Sequence, residues 1–199
     1  MYLYYIVNVT NGEAMNIFKS IWNFIKNLFQ DKTGNKDKIT VQQVLIDGDG
    51  LCYEKNKKYC FVKDSVVRVM GSRYLRGNGK DHNFELVCTF KKGFESDGAS
   101  VPSFAQKYLP DVKADDDVYS AAPFLHDALY ILEGKISADI KLSREECDDI
   151  LRGVWRCSGV DRGIAAAADI GVGLIAGTDK HWGSGQDYKP FIEFSMKYV

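Results

Sequence analysis

No two cysteines in this chain stand two or three residues apart, and their number, five, is odd (Cys52, Cys60, Cys88, Cys147 and Cys157). That excludes a zinc ribbon and a small disulfide framework, and it points to a reducing compartment. An excess of either charge is missing too. Lys and Arg number 26 against 27 Asp and Glu, for a net charge of -1. A bulk nucleic-acid binder carries a basic surplus, so no nucleic-acid partner is expected. No apolar run reaches the about 18–20 residues that cross a bilayer. The opening MYLYYIVNV is apolar but short and has no basic n-region, which makes it a poor signal peptide. Met15 offers a second start. Internal repeats and low-complexity tracts are also lacking.

What remains is globular: 199 residues, 45% hydrophobic and 13% aromatic, enough for one domain with a real core. From Asn16 to Gln30 the helical signal is clean. Ile17, Phe18, Ile21, Trp22, Phe24, Ile25, Leu28 and Phe29 fall within one arc of about 160°, and polar residues fill the rest. Such a helix docks on its own domain or a partner, or lies in a membrane interface with Lys19 and Lys26 on its wet face. The polar stretch DKTGNKDK then reads as a linker, so residues 1–38 form an N-terminal segment and 39–199 a single α+β domain.

Between Ile39 and Phe94 short β-prone runs (VQQVLI, LCYE, YCFV, SVVRV, FELVCTF) alternate with Gly, Asn and Asp clusters, predicting a small antiparallel sheet of four or five strands. Three helices are predicted after it. The first runs from Ala121 to Glu133 with Ser120 as N-cap and Pro123 in the first turn. The second starts at the Ser143 capping box, closed by Glu146, and ends near Gly159. The third spans Arg162 to Ala176. The class is α+β, sheet first and a three-helix segment after.

Chemistry concentrates in two motifs, the loop F-E-S-D-G-A-S-V-P from Phe94 and H-D-A-L-Y from His126, followed by Asp148 on the second helix. His126 and Tyr130 are four apart and share a helix face. A following antiparallel helix brings Asp148 back against that face, where its carboxylate can fix the His126 tautomer and leave the other ring nitrogen to take a proton from water. Tyr130 can donate its hydroxyl to Asp148. Asp127 is then left for a hard cation such as calcium, with carbonyls from the Asp97-Gly98 loop, since Gly98 permits close approach. The same residues also suit a buried polar clasp in a non-enzymatic protein. A metal phosphohydrolase built on His82, His126-Asp127 and Asp169 is a weaker alternative. His181 suits packing better than ligation.

G-F-E-S-D-G-A-S-V-P, A-A-P-F-L-H-D-A-L-Y, E-E-C-D-D-I-L and the late G-T-D-K-H-W-G together resemble a phage and prophage family, domain of unknown function 1353, over residues 40 to 183. That resemblance implies host cytoplasm or virion, and a phage structural protein as partner. The layout is also similar, more distantly, to bacterial and fungal phospholipase A2 enzymes, with their D-G-C-S loop, H-D-x-x-Y helix and later Asp. This second resemblance implies a lipid or ester hydrolase at a membrane surface, reached through Ile17, Trp22, Phe24 and Phe29. His126 would be its base, Asp148 the orienter and Tyr130 a support, with calcium held by Asp127, Asp97 and Gly98. The chain departs from those enzymes at the loop cysteine, here Ala99, and at that cysteine's disulfide partner, here Pro123.

Overall fold

Residues 65–90 alternate apolar and polar side chains with a period of two, and they fold as a long hairpin: β4 (Ser65–Leu75) against β5 (Lys80–Phe90). Val67, Val69, Phe84, Leu86, Cys88 and Phe90 all turn to the buried side. The computed structural model describes residues 38–56, 58–75, 77, 79–99, 109–165 and 182–199, all within the unit Asp37–Val199. The expected helix over 16–30, with Ile17, Trp22, Phe24 and Phe29, lies outside the described residues.

Around the hairpin, β1 (Ile39–Asp47) pairs with β4, and β7 (Ile192–Tyr198) pairs with β5, giving a four-stranded antiparallel sheet in the order β1-β4-β5-β7. A smaller antiparallel sheet joins β2 (Tyr53–Lys55), β3 (Tyr59–Phe61) and β6 (Glu95–Ser96). The α+β class holds, with one correction. The sheet is not complete before the helices begin, because its last strand comes from the far side of them.

Helix α1 (Asp117–Ile131) starts earlier than predicted. Asp116 is its N-cap and accepts from the Tyr119 backbone N–H. Ser120 lies inside the helix, its hydroxyl donating to the Lys113 carbonyl at 2.8 Å, and Pro123 falls in the second turn. Asp116 and Ser120 are both good capping residues, four positions apart, and the fold uses the earlier one. Helix α2 (Arg144–Cys157) has the predicted capping box: Ser143 and Glu146 bond each other's backbone N–H. Of the third predicted helix only residues 162–165 are described, and they are helical.

Two contacts position α1 and α2. Phe124 of α1 packs edge-on against Tyr53 and Phe61 at 5.2 Å between centroids, which ties α1 to the small sheet. Helix α2 lies on β1 at Gly153, where an added Cβ would stand 2.5 Å from Val41 Cγ2. The buried Asp149 carboxylate accepts from the Lys38 and Ile39 backbone N–H groups at 2.9 and 3.1 Å, fastening the start of β1 to α2.

Candidate active site

His126 and Tyr130 project from the same face of α1, as i and i+4 require, and their ring centroids are 4.0 Å apart. The connection after α1, residues 132–143, returns α2 antiparallel, which puts Asp148 opposite them. His126 Nε2 lies 3.0 Å from Asp148 Oδ1, and the Tyr130 hydroxyl donates to the same oxygen at 2.6 Å. Burial pushes the Asp148 carboxyl up, but the hydrogen bonds from His126 and Tyr130 and the Arg152 charge outweigh it, and its pKa falls below the usual value. The carboxylate therefore stays charged and acts as acceptor, so Nε2 carries the proton. His126 Nδ1 has no hydrogen-bond partner among the described residues. The His126 side chain is 11% exposed and the Asp148 side chain 22%.

Asp127, one position on, points away from that pair toward the β6 loop. The Ser96 hydroxyl donates to Asp127 Oδ2 and accepts the Gly98 backbone N–H at 3.0 Å. Gly98 takes φ +77°, and a Cβ there would stand 2.8 Å from Tyr59 Cε2, so the loop closes this tightly only with glycine. Burial, with the Asp97 charge adding to it, pushes the Asp127 carboxyl up to about 7, against the Ser96 hydrogen bond and His126. Asp97 itself is exposed. The loop group that touches Asp127 is thus a side-chain hydroxyl, and Gly98 contributes an N–H to Ser96. Among the described residues no group of three or more His, Cys, Asp or Glu is placed to hold a metal ion.

Three members of the site carry no sequence signal strong enough to single them out. Ser96 ends the short strand β6, in a stretch where any of several positions could face the helix. Arg144 opens α2, and its Nε donates to the Tyr130 hydroxyl at 3.0 Å. Trp182 packs edge-on to Tyr130 at 5.0 Å. The late D-K-H-W-G motif hinted at Trp182, but nothing local said which helix it would meet. His82, proposed for a phosphohydrolase, is on β5 with its ring against Tyr198; Asp169 and His181 lie outside the described residues.

Residues 79–172 match the family described as "Protein of unknown function (DUF1353)". That stretch of the chain is similar to this family. The DUF1353 stretch runs from the start of β5 through the β6 loop, α1 and α2, so it contains His126, Tyr130, Asp148, Asp127 and Ser96. It is narrower than the expected 40–183, and it leaves out β1 to β4 and Trp182. No curated protein and no solved structure matches the chain. All five cysteines are free thiols, and among the described residues no helix is long and apolar enough to cross a membrane.

Proposed function

We propose that this chain hydrolyses lipid or ester bonds at a membrane surface, in the manner of the phospholipase A2 enzymes it resembles. The observation that carries this reading is the tether: Asp148 holds His126 through Nε2, Tyr130 holds Asp148, and Nδ1 is left without a partner among the described residues. A ring held in that tautomer can take a proton from water at Nδ1 as the water attacks an ester carbonyl, and Asp148 stabilises the imidazolium that forms. The oxygen donors Asp127, Asp97 and Ser96 suit a hard cation, which would relieve the repulsion between the two carboxylates. Calcium held there, with further ligands from backbone oxygens and water, would polarise the ester carbonyl.

The test is acyl-ester release from mixed phospholipid vesicles, with and without calcium, for the wild type, His126→Ala and His126→Gln. The glutamine amide can keep the bond to Asp148 and so the fold. Release by the wild type and none by either variant is expected. No release by the wild type under any condition would sink the proposal.

The low exposure of His126 favours a second reading, a non-enzymatic phage structural or accessory protein in which the cluster clamps α1 to α2. There, His126→Gln would keep the fold and its urea midpoint, and the His126 Nε2 proton would exchange only slowly with bulk water.

A further inference from the structure

Strand β7 ends the four-stranded sheet, and among the described residues no strand pairs with its outer edge. The Lys91 N–H donates to the Phe191 carbonyl at 2.8 Å, and the Val199 N–H donates to the Asn83 carbonyl at 3.0 Å. With the unbroken register between β5 and β7, these bonds assign Glu193, Ser195 and Lys197 to the ladder with β5. Ile192, Phe194, Met196 and Tyr198 therefore turn their N–H and C=O groups outward. The other edge of the sheet is defended. There β1 shifts register between Val41 and Gln43, and Asp149 takes up the N–H groups at its start. Strand β7 has no such shift and no proline.

The side chains of β7 say what fits that edge. Glu193 and Lys197 flank Ser195 symmetrically on the outer face, 61% and 68% exposed. Lys197 also ends a row of alternating charge that crosses the sheet as Asp47, Arg68, Glu85 and Lys197. Arg68 lies 2.6 Å from Asp47 and 3.3 Å from Glu85, and Lys197 lies 2.5 Å from Glu85. Glu193 is paired inward with Lys91. Read as Glu-Phe-Ser-Met-Lys, the strand is complementary in charge to its own antiparallel copy.

We propose that β7 pairs antiparallel with β7 of a second copy of this chain, about a two-fold axis at Ser195. The sheet then runs β1-β4-β5-β7-β7-β5-β4-β1 through an isologous contact. In this register the outward-facing residues meet as hydrogen-bonded pairs, Phe194 with Met196 and Ile192 with Tyr198. Glu193 meets Lys197 in the non-hydrogen-bonded pairs, where side chains stand closest. The half-buried Phe194 and Met196 cover each other on the inner face. Each charge row passes into the other copy with its alternation kept, since Lys197 then sits between Glu85 and the second copy's Glu193. A slip of two residues loses both ion pairs, and a slip of four sets like charges together, which fixes the register. This contact does not depend on the hydrolase reading.

The test is sedimentation velocity on the full chain. The wild type is expected to dimerise. Glu193→Lys and Lys197→Glu each set like charges across the axis and should weaken the dimer about tenfold. An equimolar mixture of the two should recover it, because the basic edge of one meets the acidic edge of the other. A wild type that stays monomeric at its highest soluble concentration overturns the pairing. So does self-association that neither reversal weakens, or a mixture of the two variants, each folded by circular dichroism, that recovers nothing. Ser195→Cys gives a reading that leaves the charges alone. On the axis the two Cα atoms stand about 4.5 Å apart, within disulfide range. Air oxidation should therefore join two copies at position 195, identified by mass spectrometry of the linked peptide. Absence of that link, or dimers joined only through the native thiols, overturns the proposal.

Discussion

Asp148 and Asp149 are consecutive, yet their carboxylates end on different sides of α2. Asp148 meets His126 and Tyr130, while Asp149 caps the first backbone N–H groups of β1. A step of about 100° per residue separates them, and that is enough to give one a chemical surrounding and the other a structural one. Tyr130 is where the chemical side is best probed. Its hydroxyl gives one hydrogen bond to Asp148 and takes one from Arg144. Tyr130→Phe removes both and is expected to cost about 1–3 kcal/mol in urea denaturation, with acyl-ester release falling as Asp148 loses its anchor. An unchanged midpoint would mean the hydroxyl is hydrated in the folded state. Glu146 offers the pH test. Burial raises its carboxyl, but the Arg73 hydrogen bond, the Ser143 backbone N–H and the Arg73 charge outweigh burial and hold it below the ordinary carboxylate range. The folded pKa is the lower one. Its stabilisation is therefore complete above the unfolded value of ~4.3 and is lost as pH falls through the folded value. Glu146→Gln is expected to be less stable at neutral pH by about 1–3 kcal/mol, since it leaves the half-buried Arg73 guanidinium without its carboxylate, and its urea midpoint should fall less steeply below pH 4. Parallel acid limbs in the two proteins would refute this.

Helices and strands were legible to different degrees, for physical reasons. The start of α2 could be read because a capping box is a local device, with Ser143 and Glu146 three residues apart and each bonding the other's backbone. The start of α1 could not, because Asp116 and Ser120 compete as caps and tertiary packing chose between them. The His126, Tyr130 and Asp148 trio could be read from helical periodicity and one short connection. Arg144 and Trp182 could not, since their place at Tyr130 depends on how α2 and the segment before β7 settle in three dimensions. The close approach of α2 to β1 is equally silent in the sequence: Gly153 looks like a flaw in a helix until β1 is laid across it. Gly153→Ala forces a methyl into Val41 and is expected to destabilise by about 1–3 kcal/mol. Pairing it with Val41→Ala should recover part of that loss, measured as a double-mutant cycle. Additive losses would show that the two elements can move apart freely.

For the molecule as a whole, the charge balance sets the terms of any membrane contact. At a net charge of -1 the protein has no global pull toward an anionic surface. Attraction would be local, from Lys19 and Lys26, which the sequence pattern sets opposite its apolar positions. Removing residues 1–30 is expected to abolish co-sedimentation with anionic vesicles. Unchanged binding would remove the membrane role of that segment. The pairing of β5 with β7 bears on how the molecule is made. Phe90 and Ile192 are partners across the sheet, with both helices between them in the chain. Contacts so distant in sequence form late, after the entropy of closing the loop has been met. While the ribosome is still producing α1 and α2, β5 keeps one row of N–H and C=O groups unpaired, open to any other extended strand. The nascent protein is thus most vulnerable to misassembly in the interval before its last strand emerges, and conditions that shorten that interval, or a chaperone that covers β5 during it, should raise the soluble yield.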